Sequence, residues 1–148
     1  MFSGKKKFNL LVVNGPNLNL LGEREPEVYG RMTLKQLQAE IKSFCGPRSI
    51  RVRFFQSNHE GAIIDRLHRN RKWADGIVIN PGALTHYSYS LRDAISGVSV
   101  PTVEVHLSDI HRREDFRKVS VVQPACVKQI SGKGKAGYLE AIEVLTDL

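Results

Sequence analysis

A chain of 148 residues with 41% hydrophobic side chains has the length of one domain and enough apolar residues to bury a sizeable core. No apolar run approaches the about 20 residues that a membrane-spanning helix needs, and two cysteines far apart among apolar neighbours, Cys45 and Cys126, make neither a disulfide framework nor a zinc site by themselves; both are expected to be reduced. The formal net charge of +7 suits an anionic partner, whether nucleic acid, acidic surface or small acid, but the cations are spread over several segments.

Met1 to Lys7, with Lys5, Lys6 and Lys7, reads as a flexible basic tail ahead of a single domain that takes up the whole of 1–148. The apolar residues that follow are interrupted by Asn14-Gly15-Pro16 before they resemble a secretory signal, so a cytoplasmic location is expected. Phe8 to Val13 is the right length for a buried strand. The loop after it, from Asn14 to Gly30, is rich in Asn, Gly and Pro and sets Arg24 five residues before Tyr29. Long ordered loops after buried strands usually carry function. Thr33 and Gln36 have the spacing of a capping box and open a helix whose apolar face is Leu34, Leu37, Ile41 and Phe44 or Cys45, ended by Gly46-Pro47. Ile50, Val52 and Phe54 alternate with Arg51 and Arg53, the pattern of a half-exposed edge strand.

Ser57 and Glu60 have the spacing of a second capping box, opening a helix with Ile63, Ile64 and Leu67 inward and with Arg66, Arg69, Arg71 and Lys72 near an exposed end. Gly76 precedes Ile77-Val78-Ile79, a fully buried strand. A helix from about Ser88 to Ser96 turns Leu91, Ala94 and Ile95 inward, Pro101 introduces a strand over Thr102 to Leu107, and a fifth strand includes Val127 to Ile130. The last helix, roughly Gly137 to Leu145, buries Tyr138, Ala141, Ile142 and Leu145. Strands alternating with helices imply a parallel sheet covered on both faces. The edge character of the second strand selects an α/β, flavodoxin-like order 2-1-3-4-5, in which ligands bind beyond the carboxyl ends of the strands. Those ends carry Asn14, Asn80-Pro81-Gly82 and Glu104-Val105-His106.

Glu104 and His106, two apart on one strand, share a face. A carboxylate beside an imidazole fixes its orientation and stabilises its protonated form, which makes His106 a candidate general acid. On spacing alone the pair reads equally as two solvated groups at a strand end. His86, between a strand and a helix, is a candidate ligand or orienting group, although a lone His there is more often structural. Tyrosine has an unperturbed pKa of about 10, and a guanidinium beside it favours the phenolate. Tyr29 held by Arg24 is thus a candidate base for a proton on carbon next to a carbonyl, the alternative being an exposed Tyr and Arg on a mobile loop. Arg92-Asp93 reads by default as a solvated charge pair.

Other motifs fail on context. Gly132 to Gly137 matches the glycine pattern of dinucleotide sites but occupies the last strand-to-helix turn with no acidic ribose partner after it, so a backbone turn or subunit contact is expected. There is no Walker phosphate loop, no metal-ligand spacing and no nucleophile elbow.

Taken in order, Asn14 to Gly22 with Arg24-Glu25-Pro26 and Tyr29-Gly30, Gln56 to Gly61, Asn80 to His86, Leu91 to Ala94, Val103 to Ser108, Arg113 to Arg117 and the Gly134 to Tyr138 turn resemble type II 3-dehydroquinate dehydratases over nearly the whole chain. The resemblance implies dehydration of 3-dehydroquinate to 3-dehydroshikimate in the shikimate or quinate pathway, without cofactor or metal, by trimers assembled into a dodecamer. It implies Tyr29 as the base, Arg24 as the lid residue that lowers its pKa, and Asn17 as a stabiliser of the enolate through a water. His106 would be the acid for the departing hydroxyl, supported by Glu104. Asn80, His86, Leu107, Ser108 and Arg117 would hold the substrate, the Leu107 and Ser108 backbone gripping its carboxylate. Arg113 would be a second lid or anion-binding residue, and Asp93 would reach a neighbouring subunit's site.

Two departures stand out. Tyr87 and Tyr89 replace smaller or aliphatic residues after His86, at a subunit interface or the pocket rim, and Glu23 puts a negative charge beside Arg24 on the lid. The charge alone supports a competing reading, a nucleic-acid binder with strongly salt-dependent affinity; fold analogy alone supports a flavin-binding module.

Overall fold

In the computed structural model of the chain the strands are β1 (Phe8–Asn14), β2 (Ile50–Gln56), β3 (Gly76–Asn80), β4 (Thr102–His106) and β5 (Lys128–Ser131). The helices are α1 (Pro26–Tyr29), α2 (Leu34–Cys45), α3 (Glu60–Asn70), α4 (Tyr89–Val98) and α5 (Lys135–Thr146). The structure describes residues 6–148, apart from the side chains of Val28 and Tyr29. Most of the expected basic tail therefore lies outside the described residues.

The sheet is parallel throughout, in the expected order β2-β1-β3-β4-β5. Successive side chains of a strand point to opposite faces, and this alternation sorts the core into two layers. Leu10, Val12, Val78, Val103, Val105 and Ile130 pack with Leu37 and Ile41 of α2 and with Tyr138, Ala141, Ile142 and Leu145 of α5. Leu11, Val13, Ile77 and Ile79 pack with Ile63 and Leu67 of α3 and with Leu91, Ala94, Ile95 and Val98 of α4. Because Val103 and Val105 belong to the first layer, Glu104 and His106 project on the other face, under α3 and α4. The β1 terminus lies in register with its neighbours: Asn14 is beside Gln56 on one side and Asn80 on the other.

Thr33 and Gln36 form the expected capping box, with Thr33 Oγ1 accepting from the Gln36 N–H at 3.1 Å and Gln36 Oε1 from the Thr33 N–H at 2.9 Å. The second expected box does not form. The residue flanking α3 is His59, so Ser57 lies two positions too early, and its hydroxyl accepts from the His59 N–H at 3.0 Å instead. Glu60 turns across to α4, where its carboxylate accepts from the Ser88 hydroxyl that caps that helix.

Among the described residues, β2 pairs only with β1 and is the expected edge. Its cations are tied down: the Arg53 guanidinium lies 3.9 Å from the centre of the Trp73 ring and donates to Asn70 Oδ1 at 2.9 Å. Arg66 stacks 4.1 Å from the centre of the Phe55 ring, while Arg69, Arg71 and Lys72 are exposed. Cys45 is buried and Cys126 half-buried, both as free thiols, and burial pushes them up to about 11 and about 12 respectively. Among the described residues, no helix is long and apolar enough to cross a membrane.

Candidate active site

The turns that leave β1 and β3 touch. The Gly15 N–H donates to the Asn80 carbonyl at 2.7 Å, and a Cβ on Gly15 would sit 2.5 Å from the Pro81 carbonyl oxygen, so no larger residue fits. Gly82 takes a φ of +60° against Pro16, a conformation that favours glycine. Tyr138 of α5 ties the two turns from below. Its hydroxyl donates to Asn14 Oδ1 at 2.6 Å and accepts from Asn80 Nδ2 at 3.0 Å, while Asn80 Oδ1 accepts from the Gly82 N–H at 3.1 Å. Tyr138 is fully buried, and burial pushes its phenol well above the ordinary tyrosine value despite the bond from Asn80; it is a neutral structural hydroxyl.

Above this floor opens a pocket with a cavity volume of about 110 Å³, open to solvent on one side. Glu104 is 0% and His106 6% exposed, and His106 Nε2 lies 2.5 Å from Glu104 Oε2. The same carboxylate accepts from the Thr85 hydroxyl and from the Ser120 hydroxyl, which is 2.8 Å from Oε1 and 2.9 Å from Oε2. Burial acts to raise the Glu104 pKa, but the hydrogen bond and charge of His106 and the bonds from Thr85 and Ser120 outweigh it, so the carboxyl is held below its ordinary value. An ionised Glu104 is an acceptor only, so His106 donates to it from Nε2–H. Nδ1 is then the ring nitrogen left for a ligand in the pocket that His106 lines.

His86 also lines the pocket, and its Nδ1 lies 2.7 Å from the Val119 carbonyl. A carbonyl only accepts, so Nδ1 carries the proton and Nε2 the lone pair. Burial, with the charges of His106 and Arg117, lowers the His86 pKa against the opposing effects of Val119 and Glu104, and the ring is an uncharged acceptor.

Most of the residues expected at the site do converge. Asn17, Arg24, Asn80, His86, His106, Leu107, Ser108, Arg113 and Arg117 all line the pocket, with Glu104 directly behind His106. Asn17 takes a left-handed φ of 70°, which Asn tolerates, and its N–H donates to Asn58 Oδ1 at 2.9 Å. Arg117 pairs with Glu114 at 2.7 Å and packs 4.8 Å from the centre of the Phe116 ring. Arg112 and Lys118, from the same basic run, do not line the pocket.

The Gly132 to Gly137 turn acts as a brace here: the Gly134 and Gly132 N–H groups donate to the Leu107 and Ser108 carbonyls, both at 3.1 Å. In a trans peptide the N–H points opposite the preceding carbonyl, so Ser108 N–H faces away from that turn.

Three expectations stand apart. The Tyr29 side chain lies outside the described residues. Asp93 is exposed on α4 and does not line this chain's pocket. Tyr87 and Tyr89 are 62% and 63% exposed, also outside the lining. In the loop after β1, the Glu25 carboxylate lies 3.5 Å from the Arg24 guanidinium.

Sequence reasoning missed the roles of Thr85, Ser120 and the Tyr138 hydroxyl. Thr85 adjoins His86 and offered a weak signal; Ser120 offered none, because its bond to Glu104 spans segments that only the fold brings together.

A parallel α/β sheet with a buried carboxylate–imidazole pair at its carboxyl edge, opening among arginines, defines the class: an acid–base enzyme site for a small anion. The comparisons with known proteins narrow the class to one family. The family model described as "Dehydroquinase class II" matches residues 8–146. The chain is 55% identical over 137 residues to a 3-dehydroquinate dehydratase of Halothermothrix orenii, covering 93% of each chain. It is 57% identical over 134 residues to one of Thermotoga neapolitana, covering 90% of this chain and 91% of that one. Its fold matches the crystal structure of a type II dehydroquinase from Butyrivibrio crossotus with a TM-score of 0.93 and 48% identity, over 95% of this chain and 98% of that one. The chain belongs to the class II dehydroquinase family.

Proposed function

We propose that this chain dehydrates 3-dehydroquinate to 3-dehydroshikimate and water through an enolate, in the shikimate or quinate pathway. The observation that carries the reading is the buried Glu104–His106 pair behind an arginine-lined pocket, in a chain of this family. Eliminating water from a β-hydroxy ketone needs a base, a place for the enolate charge and an acid for the leaving oxygen.

Tyr29 is the base, as phenolate, with the Arg24 cation favouring that form. It takes the proton from the carbon beside the ketone, and Asn17 supports the enolate oxygen through a water. The enolate electron pair then forms the carbon–carbon double bond as the C–O bond of the hydroxyl breaks. His106 gives that oxygen the proton of its Nδ1–H, and water leaves. Glu104 accepts from Nε2–H throughout and stabilises the imidazolium that begins the step. His86 Nε2 accepts from a substrate hydroxyl, and Asn80 makes a further contact. The Ser108 N–H, with the Leu107 backbone, holds the carboxylate. Arg113 and Arg117 supply positive charge at the pocket for the anionic substrate.

The same reading assigns one domain to the chain, supported by the single sheet and the match over residues 8–146. It assigns a cytoplasmic location, trimers within a dodecamer, and Asp93 to the site of a neighbouring copy. The exposure of Asp93, Tyr87 and Tyr89 on one segment is compatible with contact there.

The test is direct. The purified protein is given 3-dehydroquinate and the ultraviolet absorbance of the conjugated enone is followed. A rise that scales with protein concentration is expected; no enone at any pH between about 6 and 9, the range in which histidine and activated tyrosine groups titrate, would end the proposal.

A further inference from the structure

We infer that Ser120 and Thr85 are positioning residues that fix the tautomer of His106 through Glu104, so that one short strip of chain, residues 119–121, orients both histidines of the site. The inference deepens the reading above and rests on it for its kinetic part.

The geometry is specific. Glu104 is buried, and three donors converge on its carboxylate: Thr85 from the turn after β3, Ser120 from the segment that follows Arg117, and His106 from its own strand. The Ser120 and Thr85 hydroxyls are 3.2 Å apart. The Ser120 oxygen is itself fixed, accepting from the Gln123 N–H at 3.1 Å. The strip is stitched to the turn on both sides of Ser120: the Val121 N–H donates to the Thr85 carbonyl at 2.7 Å, and the Val119 carbonyl receives the proton of His86 Nδ1, also at 2.7 Å.

The consequences run the same way for both rings. His86 is held with Nε2 as its acceptor. A Glu104 ionised and fixed in rotamer by Thr85 and Ser120 leaves His106 one favourable neutral form, Nε2–H, with Nδ1 toward the pocket. A carboxyl stripped of these donors is easier to protonate and freer to rotate, and a protonated carboxyl no longer demands a proton on Nε2. Among the described residues, His106, His86 and Cys126 are ionisable groups that sense Glu104. Cys126 is held as a neutral thiol, pushed up to about 12, which leaves the two histidines to respond.

The experiment uses the intact protein labelled with 15N-histidine, without substrate. Long-range 1H–15N spectra report which ring nitrogen carries the proton. They are recorded across pH for the wild type, Ser120→Ala, Thr85→Val, the double variant and Ser120→Thr. Wild type and Ser120→Thr are expected to show His106 as the Nε2–H form when neutral. Ser120→Ala should show a mixture, and the double variant a larger share of Nδ1–H. In parallel, kcat for 3-dehydroquinate should fall at least roughly ten-fold in the double variant, short of the 10²–10⁴ lost with a whole general acid. KM should change little, and the acid limb of the kcat profile should move to higher pH, because Glu104 then protonates sooner. Ser120→Thr should restore both.

Ser120 is only half-buried, so Ser120→Ala carries the test alone if the Thr85→Val protein does not fold. A folded Ser120→Ala with the wild-type tautomer and an unmoved acid limb overturns the inference. A wild type that forms no enone overturns the proposed function instead, and the spectra then still decide on the tautomer.

Discussion

Taking a carboxylate out of water is costly unless its oxygens are bonded. Glu104 meets that condition with bonds from Thr85, Ser120 and His106, and the arrangement has a measurable consequence. Its folded pKa lies below the unfolded value, so its contribution to stability is fully present above the ordinary carboxylate value of about 4.3 and is lost as pH falls through the lower folded value. His86, also lowered, adds stability that is present above about 6.5 and is lost as pH falls below that. Urea midpoints measured from pH 8 to 3 should therefore decline in two stages. Glu104→Gln should remove most of the lower stage; an identical acid profile in that variant would show that Glu104 does not bear on stability this way. Tyr138 makes a second prediction. Tyr138→Phe leaves Asn14 Oδ1 and Asn80 Nδ2 without their partner in the core, a loss of about 1–3 kcal/mol in urea unfolding, with a raised KM as Asn80 loosens. Wild-type stability and KM together would contradict it. Glu104 and His106 could be found from sequence because a two-residue step on a strand fixes a shared face. The Tyr138 hydroxyl could not, since its apolar helix position reads only as core, and its partners lie 124 and 58 residues away in the chain.

The five strands and four long helices were legible because each has its own hydrophobic period, and their bounds differ from expectation by one or two residues. What local patterns do not carry is the match between segments. Ser57 and Glu60 have capping-box spacing, yet helix α3 starts too late for Ser57 to cap it, and Glu60 bonds across to Ser88 of the neighbouring helix. The short α1 and the single helical turns at Leu18–Leu20, Gly82–His86, Ile110–Arg112, Asp115–Lys118 and Gln123–Ala125 have too few residues to show a period, and they carry Leu18, His86 and Arg117 of the site. The contact between the β1 and β3 turns illustrates the point. Gly15 reads in sequence as a turn residue, whereas in the fold its lack of a side chain lets the backbone meet Pro81. Gly15→Ala should cost about 1–3 kcal/mol, the range for overpacking, and should lower kcat by shifting Asn17 and Asn80 apart. Unchanged thermal unfolding and turnover would show that the two turns separate freely.

At the scale of the whole molecule, a positive chain suits an anionic substrate, but the charge is not gathered into one surface. Part of it is stacked on Trp73 and Phe55 at the β2 edge, while Arg24, Arg113 and Arg117 stand at the pocket. The proposed assembly reaches beyond one chain and rests on the family resemblance alone. Asp93 is an exposed helix carboxylate in the single copy, where Asp93→Ala should change stability by less than about 0.5 kcal/mol. If it serves a neighbouring site, that variant should instead weaken assembly or turnover clearly; sedimentation and kinetics both at wild-type values would remove the intersubunit role. The central claim is a division of labour, with Tyr29 removing the carbon proton and His106, set by Glu104, protonating the leaving oxygen. Following 3-dehydroquinate in heavy water by NMR separates the two steps in one measurement. His106→Asn should still exchange the proton beside the ketone for deuterium while dehydration falls at least roughly 10²-fold, and Tyr29→Phe should lose exchange and dehydration alike. Dehydration at the wild-type rate in His106→Asn, or exchange persisting in Tyr29→Phe, would contradict the account.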